Sequence, residues 1–285
     1  MPPLVKKMSK VPAALRIDVD TVKDVLLLPK LLDLLKTVDV KATFFVTTGP
    51  DKTGFNIFKH LKQPQNYLNV LKSKPYRFGI HSLNGLFRHI EIQNSHSHIL
   101  QRTLKEGHEL GLHGYDHYRW INELEKFKDK YIIALIQRGL AALNNVAKSD
   151  IRSFASPGFK VTQEFLKSID TFDFYYSSDY KFDIPVAPFY PQFGSRTSRI
   201  LQIPVASDSI GELTTKGYNE NAILSLIKRR LDVWYQSKVP LVIYMHPSYE
   251  IAYKFELFNQ VLTLIGDDSR FELSTLARIS SMLEE

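Results

Sequence analysis

The chain has 285 residues, 44% of them hydrophobic and 24% charged, the composition of an ordinary globular protein long enough to bury one substantial core. It contains no cysteine, which excludes disulfides and thiolate metal sites. Its formal net charge of +7 suits an acidic partner such as nucleic acid, phosphorylated lipid or an anionic membrane surface, and suits plain solubility equally well.

Met1 to Lys10 has no apolar stretch of signal-peptide length, and no run approaches the roughly 20 apolar residues that span a bilayer. Ala13 to Val19 reads as a first strand. Pro29 fits the first turn of a helix, followed by Leu31, Leu32, Leu34, Leu35 and Val38 at helical spacing. Ala42 to Val46 is a short buried strand closed by Gly49-Pro50. Residues 51–106 interrupt this rhythm with aromatic residues and leucines among lysines, too long a stretch for a plain connection. They read as an insertion with short helices of its own, over one end of the sheet.

Glu109 to His113 resumes the alternation. One long helix is expected next, with Leu124, Phe127, Tyr131, Leu135 and Leu143 on a single stripe. Strands at Arg152–Ala155, Phe174–Ser177, Ile200–Val205, Val239–Met245 and Phe271–Leu273 follow. Helices are expected over Thr162–Ser168, Glu220–Gln236 and Ile251–Ile265, with Ser274 capping a terminal one. Phe182 to Arg199, rich in proline, reads as a surface loop. The pattern predicts one α/β domain, a distorted (β/α) barrel of about seven parallel strands.

The polar residues fall at the C-terminal ends of these strands, where barrels and parallel sheets build their sites. Asp18 and Asp20 end the first strand and share a face, because side chains alternate along a strand. His113 and His117 stand four apart where a strand hands over to a helix. In one helical turn two such imidazoles grip one metal ion. Ser156-Pro157-Gly158, Ser178-Asp179 and His246 end three further strands. Two neutral imidazoles and a carboxylate leave a divalent ion open to water and to an amide carbonyl. A second carboxylate can take the proton of the water, and a histidine can protonate the departing amine.

These residues carry a resemblance. Ile-Asp-Val-Asp, His-x-x-x-His, Ser-Pro-Gly and Tyr-Met-His, in this order from Arg16 to about Leu276, resemble the motifs of the NodB-type polysaccharide deacetylases. Arg16 to Thr21, Gly49-Pro50-Asp51, Gly111 to His117, Ser178-Asp179 and Gln202 to Val205 look like the 4-deoxy-4-formamido-L-arabinose-phosphoundecaprenol deformylase branch. The resemblance implies that Asp20, His113 and His117 bind one divalent metal, zinc first, with manganese, cobalt or nickel also possible. It implies Asp18 as general base, His246 as general acid and the backbone at Gly158 and Phe159 as oxyanion donors. Asp179 would orient a basic residue near the base. The family usually has an arginine near Ala155; this chain has none there, and Lys160 is the candidate replacement.

The implied function is removal of an acetyl or formyl group from an amino sugar carried on polyprenyl phosphate, in lipid A or related glycolipid modification. It would take place on the cytoplasmic side of a bacterial inner membrane. Retention of Pro157 tilts the expectation toward an acetamido sugar. Residues 54–78 are the candidate membrane contact, their aromatic residues entering the interface and their lysines meeting anionic headgroups. Competing readings are a deacetylase of soluble or polymeric sugars, which the lack of an export signal disfavours for a wall polymer, and an inactive sugar- or lipid-binding relative. A nucleic-acid binder is disfavoured because the basic residues are scattered and no binding module is visible.

Overall fold

The computed structural model of the chain describes residues 9–55 and 90–284. The strands in chain order are β1 (Val11–Val19), β2 (Thr43–Val46), β3 (Glu109–Leu112), β4 (Ser153–Phe154), β5 (Tyr176–Ser177), β6 (Gln192–Phe193), β7 (Arg196–Thr197), β8 (Leu201–Gln202), β9 (Leu241–Met245) and β10 (Phe271–Ser274). All but β6 and β7 join one 8-stranded sheet in the order β10-β1-β2-β3-β4-β5-β8, with β9 on the other side of β1. Every ladder in it is parallel.

The register shows how eight strands occupy seven places around the curl. Val11 to Ala14 of β1 pairs β10, and Arg16 to Val19 pairs β2 along the same edge. β9 runs along the opposite edge from Ala13 to Ile17. No ladder joins β8 to β9 among the described residues, so the sheet curls into an open half-barrel. One backbone bond crosses that gap, from Ala206 N–H to the Val242 carbonyl.

β1 is buried along its whole length, and its side chains alternate between two cores. Leu15, Ile17 and Val19 belong to the larger cluster shared with the helices, whereas Ala14 joins Phe45, Ala155, Tyr176, Val242 and Tyr244 on the concave side. The helix Leu276–Glu284 contributes Leu276 and Ile279 to that inner cluster. Its amides at Leu276 and Ala277 are received by Thr43 Oγ1 and Glu109 Oε2, so it docks on β2 and β3.

Several element boundaries differ from the sequence expectations. The first helix spans Val22–Thr37 and begins at Thr21, whose reciprocal bonds with Asp24 form a capping box; Pro29 lies inside it. The single helix expected after His117 is two, His117–Glu123 and Asp129–Ala147, divided by a 3-10 turn at Leu124–Lys126. Another break at Lys254 separates Pro247–Tyr253 from Phe255–Gly266. The Phe182–Arg199 stretch contains the β6-β7 hairpin. Ser274 belongs to β10, and the Thr275 hydroxyl instead receives the Arg278 amide.

Within 51–106, the structure describes a 3-10 turn at Thr53–Phe55 and helices at Ile92–Ser95 and Ser97–Lys105. The aromatic and basic residues from Phe58 to Phe78, with His81 and His89, lie outside the described residues. The flanks of the excursion meet: Asp51 N–H reaches the Ile90 carbonyl and Ile92 N–H the Gly49 carbonyl.

Gly111 pairs with Phe45 in the β2-β3 ladder, two residues before His113. A Cβ there would stand 2.5 Å from the Phe45 ring and 2.7 Å from Ser153 Oγ. Gly111→Ala is therefore expected to destabilise the fold by about 1–3 kcal/mol through overpacking. Thermal denaturation measures this, and an unchanged midpoint would refute the tight strand approach.

Candidate active site

The parallel sheet gathers the loops after β1, β2, β3, β4, β5, β8 and β9 at one edge. His113 follows β3, and Gly114, at φ +71°, turns the chain into a left-handed conformation that glycine adopts freely. The helix then starts at His117, with Asp116 as its N-cap receiving the Arg119 amide. The two imidazoles thus converge across a turn, from a strand end and a helix start, and do not share a helical turn as their spacing suggests. Their ring centroids are 5.5 Å apart.

Asp20 faces both rings. Its Oδ1 lies 3.3 Å from His113 Nε2 and its Oδ2 3.3 Å from His117 Nε2. One ligand atom from each of the three residues lies within 4.8 Å of the others, as a shared cation requires. Two further observations fit a metal ion. Asp20 Oδ1 is buried and receives no properly oriented hydrogen bond. His113 Nδ1–H donates to the Ala155 carbonyl at 2.7 Å, which orients the ring with Nε2 toward Asp20. Side-chain exposure rises from 1% at His113 through 15% at Asp20 to 22% at His117 and 31% at His246, so the centre opens on one side.

Asp18 lies one inward position below Asp20. Arg16, one inward position lower again, holds it bidentately: Nε to Oδ1 at 2.7 Å and Nη2 to Oδ2 at 2.8 Å. The guanidinium also donates from Nη1 to the carbonyl and hydroxyl of Ser178. Phe159 covers it at 4.7 Å from the ring centroid and Phe45 at 5.2 Å. The positive charge sought at Lys160 is therefore supplied by Arg16. The Lys160 side chain is exposed, and its carbonyl receives the Ser156 hydroxyl.

Asp179 is buried and does not touch Arg16 directly. It accepts from the Ser156 amide at 2.7 Å, the Ser177 hydroxyl at 2.5 Å and the Gln202 side-chain amide at 2.8 Å. It thereby ties the loop after β4 to β5 and β8. That loop makes a tight turn in which Gly158 and Phe159 both have positive φ, +61° and +56°. The Phe159 amide donates to the Ser156 carbonyl at 3.1 Å and the Lys160 amide to the Pro157 carbonyl at 3.3 Å. A phenylalanine in this conformation is strained; here the turn carries its ring over Arg16 and edge-on to Tyr244 at 5.2 Å.

His246 follows β9 and stands at the N-cap position of the helix Pro247–Tyr253. Its Nε2 is 3.5 Å from Asp20 Oδ2. Its backbone amide is received by Glu250, a fully buried carboxylate.

The charges are arranged to persist. Burial pushes the Asp18 carboxyl up, but Arg16, His113 and His246 outweigh it and hold the group below the usual range. Burial also opposes ionisation of Asp20, and His117, His113 and His246 together hold it well below its ordinary value. Burial pushes His117 down and Asp20 more than restores it. For His246, burial is outweighed by Asp20, Asp18, Glu250 and Asp24, so this imidazole holds its proton more tightly than a free one.

His108 and Trp120 are buried and hydrogen-bonded within the fold. His108 is buried and its Nδ1 accepts the Ala42 amide at 3.1 Å; burial, then Lys41, lowers its pKa to about 4. Trp120 is fully buried against Phe154 and Phe165 and donates to Ser156 Oγ at 2.9 Å. Tyr118 is half-buried beside Phe55. Sequence reasoning gave no role to Arg16, Ser178, Asp24 or Glu250. For Arg16 the signal was present in the period of two that places it on the face of Asp18.

Both members of the Arg16–Asp18 pair are almost completely buried. Removing one partner of such a pair typically costs about 3–5 kcal/mol, because the other charge is left unpaired. Arg16→Met should lower the denaturation midpoint accordingly, and Asp18→Asn added to it should recover part of the loss. A single variant as stable as the parent would show that the pair is not buried as described.

Residues 7–177 match the polysaccharide deacetylase family. The chain is 32% identical over 214 residues to a protein of Wigglesworthia glossinidia brevipalpis named "Probable 4-deoxy-4-formamido-L-arabinose-phosphoundecaprenol deformylase ArnD", a match covering 72% of each chain. A protein of Shewanella sediminis with the same name is 30% identical over 218 residues, covering 75% of this chain and 70% of the relative. Among solved structures, a polysaccharide deacetylase-like protein from Mycobacterium smegmatis gives a TM-score of 0.70 at 15% identity, covering 100% of this chain and 94% of that one. That last likeness concerns the fold.

Proposed function

This chain belongs to the polysaccharide deacetylase family, and we propose that it is a zinc-dependent hydrolase that removes an N-acyl group from an amino sugar carried on polyprenyl phosphate. The observation that carries the catalytic part is the Asp20 carboxylate, whose buried, unbonded Oδ1 faces His113 and whose Oδ2 faces His117, with an ionised Asp18 one inward position below. The substrate class is taken from the two relatives named as deformylases of a sugar on phosphoundecaprenol.

Asp20, His113 and His117 would hold the ion, which when bound polarises the amide carbonyl and acidifies water. Asp18, kept charged by Arg16, accepts the proton of the attacking water. His246, with its proton held by four nearby carboxylates, gives it to the departing amine nitrogen. The Phe159 amide is already bonded to Ser156, which narrows the proposed oxyanion contact to the amide of Gly158. Asp179 holds the Ser156 amide and so supports this turn from beneath.

Acetyl and formyl differ by one methyl group, a discrimination worth about 1–3 kcal/mol in a pocket. Pro157 favours the acetamido sugar, and the names of the relatives favour the formamido one. Mass spectrometry of zinc-loaded protein with each lipid-linked sugar decides: net loss of C2H2O means deacetylation, net loss of CO deformylation. Asp18→Asn should keep its zinc and lose turnover, because an amide cannot serve as the base. His246→Asn should keep its zinc and lose about 10²–10⁴-fold in turnover. Loss of zinc from Asp18→Asn would reverse the division of labour between Asp18 and Asp20, and neither product would favour a binding protein.

A polyprenyl substrate stays in the bilayer, so the enzyme must work at its surface. We place it as a peripheral protein on the cytoplasmic face of a bacterial inner membrane, where it would supply a free amine for lipid A or a related glycolipid. No helix among the described residues is long and apolar enough to cross a membrane. Residues 54–78 are the proposed contact. Changing Lys59, Lys62, Lys72 and Lys74 to Glu should weaken co-sedimentation with anionic vesicles, each cation near the surface contributing about 1 kcal/mol. Unchanged sedimentation would remove that segment from the interface.

A further inference from the structure

Beside the site lies a buried carboxylate that takes no proposed place among the metal ligands, the base or the acid. Asp24 lies in the first turn of the helix Val22–Thr37 and is 1% exposed. Its Oδ2 accepts the Thr21 amide at 3.0 Å, the Thr21 hydroxyl at 2.7 Å and the Asp20 amide at 3.3 Å. Its Oδ1 turns away from its own helix and accepts the Ser248 amide at 2.7 Å, 224 residues along the chain. Ser248 lies in the first turn of the helix Pro247–Tyr253, whose N-cap position His246 occupies.

One carboxylate therefore receives backbone amides at the starts of two helices. Each start carries a site residue: Asp20 precedes Thr21, the cap of the first helix, and His246 stands at the N-cap position of the second. Across the gap, Asp20 Oδ2 and His246 Nε2 stand 3.5 Å apart. An acid in a first turn usually serves only its own helix, as in the capping box that Asp24 also completes with Thr21. The bond to Ser248 adds nothing to that box. It fixes one loop relative to the other.

Resting on the reading of Asp20, His113 and His117 as a metal centre, we propose that Asp24 is a positioning residue: its shared carboxylate sets Asp20 against His246, and thereby the geometry of the centre. Aspartate is required because both oxygens must accept. In asparagine one of the two atoms is a donor and would face an N–H or O–H group. Glu250 holds the opposite side of the His246 turn, receiving the His246 amide at 2.9 Å and the Gly211 amide at 3.0 Å. Asp24 is the member of this pair that also reaches a proposed metal ligand.

The test uses the full chain stripped of metal and needs no substrate. Zinc affinity is measured by chelator competition, and the thermal midpoint is measured on the same metal-free samples. Asp24→Asn should bind zinc about 10–100-fold more weakly, the usual effect of losing a residue that orients a ligand. Thr21→Ala breaks the capping box but leaves Asp24 bonded to the Asp20 and Ser248 amides. It should lower the thermal midpoint to a similar degree and hold zinc nearly as well as the parent. Cobalt-loaded Asp24→Asn should also show an altered visible spectrum. Asp24→Ser, which keeps a capping hydroxyl too short to reach Ser248, replaces the asparagine variant if that one does not fold, with the same expected loss.

Parent-like zinc affinity in the Asp24 variant, or an equal loss in Thr21→Ala, would overturn the proposal and return Asp24 to helix capping. A parent chain that binds neither zinc nor cobalt would overturn the metal centre itself, and with it this role.

Discussion

Arg16 and Asp18 are two opposite charges on one wholly buried strand, and much of the site depends on how they are satisfied. A guanidinium inside a barrel needs acceptors and a polarisable lining. Here it takes both oxygens of Asp18, the carbonyl and hydroxyl of Ser178, and the faces of Phe45 and Phe159. These partners come from β1, β2, the turn after β4 and the end of β5. Satisfying one cation thus fixes four elements of the sheet around the proposed base. The strained turn at Phe159 fits this account, since it carries an aromatic ring over the guanidinium.

The same economy governs the other carboxylates of this edge. A parallel sheet delivers strand ends and helix starts to one rim, and each helix start exposes backbone amides that need acceptors. Asp116 caps the helix that His117 begins, Asp51 receives the Val22 amide, Glu250 receives the amide of His246, and Asp24 joins two starts at once. Asp20 is different. Its Oδ1 faces the His113 imidazole with no hydrogen bond of proper geometry, and this separates a ligand from the caps around it. Burial therefore does not mark the functional acids here; what each oxygen accepts does.

At the opposite end of the barrel the polar groups are arranged for structure. Glu109 receives the hydroxyls of Thr43, Ser153 and Tyr176 and the amide of Ala277, which joins β2, β3, β4 and β5 to the terminal helix. Burial raises its pKa despite these donors. A rigid floor of this kind is what allows short strands such as β4 and β5, two residues each, to hold loops at the other end in register.

The sequence by itself determined the alternation of strands and helices, because apolar periodicity is local and the strands of a parallel sheet are nearly all apolar. It also brought His113 and His117 forward with the pair Asp18 and Asp20, by spacing and position in the chain alone, and the family resemblance singled out Asp20 as the ligand of that pair. Helix breaks at Leu124 and Lys254 were not legible, since the apolar stripe continues across them while the backbone turns. Nor was the start of the first helix read correctly, where Pro29 drew attention from the Thr21–Asp24 box. Only the tertiary structure decided which cation meets Asp18. Lys160 and Arg16 are equivalent as charges in a sequence, but one is exposed and the other is buried in the barrel. It alone brought Ser248 to Asp24 and Ser178 to Arg16, pairs separated by 224 and 162 residues. Contacts at such separations follow from how the sheet curls, and no local pattern encodes them.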